Sequence, residues 1–250
     1  VLPHTGIEHV IVTEIADMHS PIKRTLMNAA VKHLKKMVPE FNIPGAHKLP
    51  AVLSAGAREK FTPVDIKLDD LAVLQYTGGT TGVAKGAMLT HANLVANLTQ
   101  VRPMLEDQVE EGKEVVIAPL PLYHIYSFTL NCGIMLEAGA HNVLIPNPRD
   151  IPGFVKELQK QKFSAFIGLN TLFVALCNNE DFQDLDFSGL KLTASGGMAL
   201  TSDTAKMWQR VTGCEISEGY GMTETSPVVT FNPRSAIQIG TIGLPIPSTV

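Results

Sequence analysis

The chain has 250 residues, 45% of them hydrophobic and 18% charged, with a formal net charge of −4. That balance suits a globular fold with a sizeable core and excludes low-complexity disorder, and the acidic sign lacks the basic footprint of a nucleic-acid partner. Three widely spaced cysteines, Cys132, Cys177 and Cys214, fit a reduced cytoplasmic protein better than a disulfide scaffold or a zinc site.

Taken in chain order, short runs rich in Val, Ile or Leu and bounded by Gly, Pro or polar residues predict strands at 9–13, 71–76, 115–119, 142–145, 164–168, 191–194 and 214–218. Helical periodicity falls between them, at 21–37, 91–101, 151–161, 171–178 and 201–212. In the second of these, Leu94, Leu98 and Val101 share one face and Thr90 stands at the N-cap. This alternation predicts an α/β fold of layered, mostly parallel sheets with flanking helices. Such sheets bind ligands in the loops at the carboxyl ends of their strands.

The stretch 39–62 carries Pro39, Pro44, Pro50, Gly45 and Gly56 and reads as a crossover between sub-sheets. No apolar run reaches the ~20 residues of a membrane span. The basic residues Lys23, Arg24, Lys32, Lys35 and Lys36 read first as a solvated helix face, with peripheral membrane contact as the alternative. The chain opens on Val1-Leu2-Pro3-His4, without an initiator Met or a signal-peptide pattern, and closes on Gly243-Leu244-Pro245-Ile246-Pro247-Ser248-Thr249-Val250. An internal piece of a longer protein is the expectation.

Chemistry concentrates in four segments. The first is Tyr76-Thr77-Gly78-Gly79-Thr80-Thr81-Gly82-Val83-Ala84-Lys85-Gly86, which holds four glycines, three threonines and one lysine. Glycines turn the backbone tightly and expose its N–H groups, hydroxyls add donors, and Lys85 adds positive charge, as a polyphosphate requires. It departs from the GxxxxGKS/T pattern, because Gly86 follows Lys85 where an Mg²⁺-binding hydroxyl would stand. A flexible Gly/Thr turn with an exposed lysine is the bland alternative.

The second segment, Glu218-Gly219-Tyr220-Gly221-Met222-Thr223-Glu224-Thr225, sets a carboxylate and a hydroxyl beside an aromatic ring. One carboxylate with substrate phosphates suffices for Mg²⁺, although a strand-end turn capped by Thr223 reads equally from these residues alone. In the third, Ser195-Gly196-Gly197-Met198-Ala199-Leu200, the double glycine permits close backbone approach or simply makes a βα turn. The fourth, Pro119-Leu120-Pro121-Leu122-Tyr123-His124-Ile125-Tyr126-Ser127-Phe128, places His124 in an apolar run, where a packed core histidine is the commoner outcome.

The first segment resembles the signature loop of the acyl-adenylate-forming, AMP-binding superfamily, which usually has Ser or Thr at position 78 and Pro at 84; this chain has Gly78 and Ala84. The stretches 71–97, 119–132, 147–158 and 219–225 look most like the bacterial long-chain fatty acid–CoA ligases, and the likeness extends less densely over the whole chain. The resemblance implies that residues 1–250 are part of the large N-terminal domain, with a smaller lysine-bearing C-terminal domain lying elsewhere. Lys85 is therefore not the catalytic lysine of the family.

The resemblance also implies ATP and Mg²⁺ as cofactors, coenzyme A as co-substrate and a long-chain fatty acid as substrate. It gives His124, Thr223 and Glu224 catalytic roles, Glu224 as the metal ligand and Thr223 at the α-phosphate. Tyr76 to Gly86, Gly196, Gly197, Met198, Gly219, Tyr220, Gly221 and Met222 would bind ATP, Tyr220 stacking on adenine. Ile125, Phe128 and Gly168 would line the acyl site. The stretches 126–132 and 168–172 hold no acidic residue to grip an amino group, which favours an alkyl acid. An aryl- or amino-acid-activating relative, or a nucleotide-binding module without turnover, remain the competing readings; oligomeric state is left open.

Overall fold

A computed structural model describes residues 4–77 and 84–249. The chain divides into two compact units, Val1–Asp65 and Ile66–Val250.

In the first unit, β1 (Ile11–Val12) pairs in parallel with β2 (His47–Lys48). Between them α1 (Pro21–Ala29) starts on a proline, which is pre-set for the first helical turn, and continues as a wide-turn π-helix, Ala30–Leu34. Helix α2 (Leu49–Gly56) follows β2, so the proline-rich stretch carries a strand and a helix of its own. The centre is small and polar. Asn28 accepts from the Ala16 amide at 3.0 Å and donates to Glu14 at 3.2 Å and Asp17 at 3.4 Å.

The second unit opens with an antiparallel hairpin of β3 (Leu71–Thr77) and β4 (Lys85–Thr90). The second strand was not expected, because Lys-Gly-Ala-Met-Leu-Thr is poor in β-formers. Pairing with β3, Tyr76 opposite Gly86 and Leu74 opposite Met88, overrides that weak preference. Helix α3 (His91–Leu105) starts where the sequence predicts. Thr90 Oγ accepts from the Asn93 amide at 3.2 Å and Asn93 Oδ1 accepts from the Thr90 amide at 3.0 Å, a reciprocal cap.

The remainder winds a seven-stranded sheet. Five strands are parallel: β5 (Val115–Ala118), β6 (His141–Leu144), β7 (Ala165–Gly168), β8 (Leu192–Ser195) and β9 (Ile216–Gly221). Short α4 (Ile125–Ser127), with its π-helical continuation Phe128–Met135, leads from β5 to β6, and α5 (Ile151–Leu158) leads from β6 to β7. Helices α6 (Asn170–Cys177) and α7 (Glu180–Gln183) cross to β8, and α8 (Ser202–Thr212) crosses to β9. Strands β10 (Val228–Phe231) and β11 (Leu244–Pro245) add antiparallel pairing at one edge, giving the order β11-β10-β9-β8-β7-β5-β6.

Each sheet face has its own core. One packs Phe166, Phe173, Phe182 and Trp208 together, with Trp208 Nε1 donating to Thr193 Oγ at 3.1 Å. The other gathers Val101, Leu130, Ile134, Met135 and Phe231 over Ile167 and Ala194. All four residues of β7 are buried, as befits a strand covered on both faces. All three cysteines are unpaired, and no described helix is long and apolar enough to cross a membrane.

Candidate functional site

Because β5 lies between β6 and β7, the chain leaves β5 in one direction for β6 and returns on the other side for β7. A parallel sheet opens a crevice at such a reversal, beyond the carboxyl ends of its strands. The segment after β5, together with the carboxyl ends of β8 and β9, lines a cavity of about 300 Å³, within the size range of small-molecule sites. It is lined by Thr77 from the hairpin, His124 and Ile125 after β5, Gly196 and Gly197 after β8, and Gly219, Tyr220, Gly221, Met222, Thr223 and Glu224 at the end of β9. Four segments distant in sequence thus meet at one opening.

Local structure explains each position. His124 caps α4, its Nδ1 accepting from the Tyr126 amide at 3.3 Å. The hairpin is tied to this loop by Gln75 Nε2, which donates to the Tyr123 carbonyl at 3.1 Å. Gly197 turns at φ +78°, with open space where a side chain would begin. The loop it belongs to is held by Glu218, whose buried carboxylate accepts from the Leu200 amide at 2.9 Å. Burial pushes the Glu218 carboxyl above its ordinary range, and the Leu200 N–H pulls it partly back.

Gly221 has the Pro227 carbonyl at contact where a Cβ would stand, so the turn after β9 closes only with glycine there. Within that turn the Met222 amide donates to the Pro227 carbonyl at 3.1 Å and to Thr225 Oγ at 3.0 Å. Glu224 is exposed at the cavity and has no ion-pair partner among the described residues.

The other sequence candidates lie off this lining. Tyr76 is 65% exposed on β3, and Ala84, Lys85 and Gly86 are exposed at the start of the returning strand. Met198 is 45% exposed on its loop. Phe128 is half-buried on the π-helix, and Gly168 is buried at the end of β7, where its carbonyl accepts from the Tyr126 hydroxyl at 3.4 Å. Burial pushes the Tyr126 phenol well above its usual range. Gly78, Gly79, Thr80, Thr81, Gly82 and Val83 fall outside the described residues.

Sequence reading missed the cavity's apolar wall: Val101 from α3, Leu130 from the π-helix and Phe231 from β10. Val101 was visible only as part of an apolar helix face, and β10 was not anticipated. The lining therefore combines hydroxyls, an imidazole and a carboxylate with hydrocarbon side chains. Among the described residues no group of three or more His, Cys, Asp or Glu could hold a metal alone. The Glu224 carboxylate does suit Mg²⁺, which takes one or two carboxylates and completes its shell with phosphates and water.

The family model described as AMP-binding enzyme matches residues 1–250. The chain is 49% identical over 250 residues to a long-chain-fatty-acid–CoA ligase of Salmonella typhimurium and 50% identical to one of Escherichia coli O157:H7, covering 100% of this chain and 45% of each relative. An ATP-bound crystal structure of MatB from Rhodopseudomonas palustris is similar with a TM-score of 0.67 and 28% identity, over 95% of this chain and 45% of that one. The chain thus spans less than half the length of the relatives it matches.

Proposed function

We propose, from the premise that this chain belongs to the AMP-binding enzyme family, that the whole protein activates a long-chain fatty acid with ATP and passes the acyl group to coenzyme A. The observation that carries this reading is the meeting of Thr77, His124, Gly196–Gly197 and the Tyr220–Glu224 turn on one cavity that Val101, Leu130 and Phe231 also line.

A carboxylate is a poor acylating agent because oxide is a poor leaving group. In the proposed reaction a carboxylate oxygen attacks the α-phosphorus of ATP, pyrophosphate leaves, and the resulting acyl-AMP is opened by the coenzyme A thiol with release of AMP. Thr223 would donate to the α-phosphate as charge builds there, and Tyr220 would stack on the adenine. The glycine turn at 196–197 would bring its backbone against the base. Glu224 would hold Mg²⁺, which supplies charge neutralisation at the phosphates. His124 would orient the carboxylate, and Val101, Leu130 and Phe231 would face the alkyl chain, whose burial contributes roughly 0.8 kcal/mol per CH₂. Ile125, which lines the same cavity, would also contact the alkyl chain. Lys85, with Gly86 and the loop before it, would balance charge on the pyrophosphate side.

The three unpaired cysteines support a reduced, cytoplasmic setting. Exposed Ile22 and Leu26 beside Lys23 and Arg24 on α1 support peripheral contact with the inner membrane face.

The test is pyrophosphate release by the full-length protein with ATP–Mg²⁺ and a panel of acids. Release should depend on palmitate, with hydroxylamine trapping the acyl-AMP. Background release with palmitate, alongside strong release with an aryl or amino acid, would overturn the substrate assignment.

A further inference from the structure

Asn97 sits in the middle of α3 and is only 4% exposed. A buried side-chain amide needs partners for both its donor and its acceptor. Both partners of Asn97 are on one residue: Nδ2 donates to the Val228 carbonyl at 2.8 Å, and Oδ1 accepts from the Val228 amide at 3.1 Å. The amide thus pairs with β10 as a neighbouring strand would, at the point where the β9–β10 register shifts between Val228 and Thr230.

What hangs from Val228 gives this contact its consequence. Val228 is the ladder partner of Gly221, and the preceding Pro227 carbonyl accepts from the Met222 amide and from Thr225 Oγ. The turn that carries Thr223 and Glu224 is therefore suspended between Gly221 and Val228. At its other end, α3 starts directly from β4, whose first residue is Lys85. From Thr90 to Asn97 the helix rises about 10 Å. One capped helix thereby connects the strand that begins at Lys85 to the turn that carries Thr223 and Glu224.

We propose that Asn97 is a positioning residue for the nucleotide end of the site, setting the Thr223–Glu224 turn against the β3–β4 hairpin through Val228. This rests on the nucleotide reading given above and goes beyond it, because Asn97 is not among the residues lining the cavity. It touches no substrate; it acts through the β10 backbone. Its loss should be felt first by ATP, because its two hydrogen bonds end on Val228 beside the Thr223–Glu224 turn, and not on Val101 or Phe231, which the reading above places against the alkyl chain.

The experiment uses the full-length protein and two variants with the same side-chain branching as Asn, with pyrophosphate release measured against ATP and, separately, against palmitate. Asn97→Leu removes both contacts. Asn97→Asp keeps the acceptor for the Val228 amide but sets a carboxylate oxygen against the Val228 carbonyl. Both should raise KM for ATP about tenfold, as for one or two buried hydrogen bonds lost, while KM for palmitate changes by less than about twofold. A folded variant with an unchanged ATP KM overturns the proposal, and so does a parallel rise in both KM values. Failure of both variants to fold overturns it in favour of a purely structural role. Absence of palmitate-dependent release by the unaltered protein overturns the functional reading itself and this proposal with it, so the two failures are distinguishable.

Discussion

At the scale of single residues, two glycines of the site illustrate different constraints. Gly197 lies in the left-handed region with open space around it, so Gly197→Ala meets backbone strain and little else. Gly221 meets the Pro227 carbonyl, so a methyl group there must displace the turn that carries Thr223 and Glu224. In the full-length protein, Gly221→Ala should lower kcat/KM for ATP about a hundredfold, since a displacement near 1 Å suffices for that in a preorganised site. Gly197→Ala should cost about 1 kcal/mol of stability. Steady-state pyrophosphate release and thermal melts on the two variants check the contrast. Equal effects of the two substitutions on activity would show that close packing at Gly221 does not shape the site. Both glycines were visible in the sequence as Gly-rich segments, but only the folded chain distinguishes strain from contact, because Pro227 reaches Gly221 through the return of β10.

Among elements, the ends of the central strands opposite the cavity are held by charge. Glu114, 2% exposed just before β5, accepts from Lys191 Nζ at 2.7 Å, just before β8, and from the hydroxyl of Ser164, just before β7. It also accepts from the Glu110 amide at 2.7 Å. Burial alone would raise the Glu114 carboxyl, but Lys191, Ser164 and the Glu110 amide outweigh it, and the group lies below its ordinary value of 4.5. A carboxyl depressed in the fold contributes stability that is complete above that ordinary value and is lost as pH falls through the lower folded one. Glu114→Gln should therefore destabilise the protein by about 2–3 kcal/mol at neutral pH, because Lys191 loses its shorter, buried partner and keeps only the exposed Glu110 at 3.3 Å. The difference from the unaltered protein should shrink as pH falls below the ordinary value of 4.5 and through the lower folded one. Urea unfolding midpoints at the two pH values measure it. A difference that persists undiminished in acid would remove the charge pairing as its cause.

For the molecule as a whole, the division at Asp65/Ile66 puts the seven-stranded sheet, the hairpin and every residue lining the cavity in the second unit. Its two-sided aromatic and aliphatic core contains Trp208, the chain's one tryptophan. A protein comprising residues 66–250 should then unfold in a single cooperative step when followed by Trp208 fluorescence and by circular dichroism. Non-coincident transitions would show that the first unit is needed to complete the core. Nothing in the composition marked this boundary. The proline-rich stretch 39–62 drew attention to the region, and the contacts of the folded chain separate at 65.

How much was legible beforehand depended on where the information resides. Local patterns are written in adjacent residues: the parallel strands, the cap at Thr90, the start of α3, the glycine-rich turns and the likeness to adenylate-forming enzymes could all be read directly. Those patterns also singled out His124 and the 219–224 segment, and the fold brings both to one cavity. The edge strand β10, the returning strand β4 and the apolar wall of Val101, Leu130 and Phe231 could not be read, because weak β-formers and ordinary core residues acquire those roles only through partners remote in the chain. Asn97 is the clearest instance. In sequence it is one polar residue within a helix, and its two hydrogen bonds to Val228 span 131 residues. Sequence by itself determined the class of fold and the segments that carry chemistry; tertiary structure decided which of them meet, because backbone pairing and burial between distant segments are set only when the whole sheet closes.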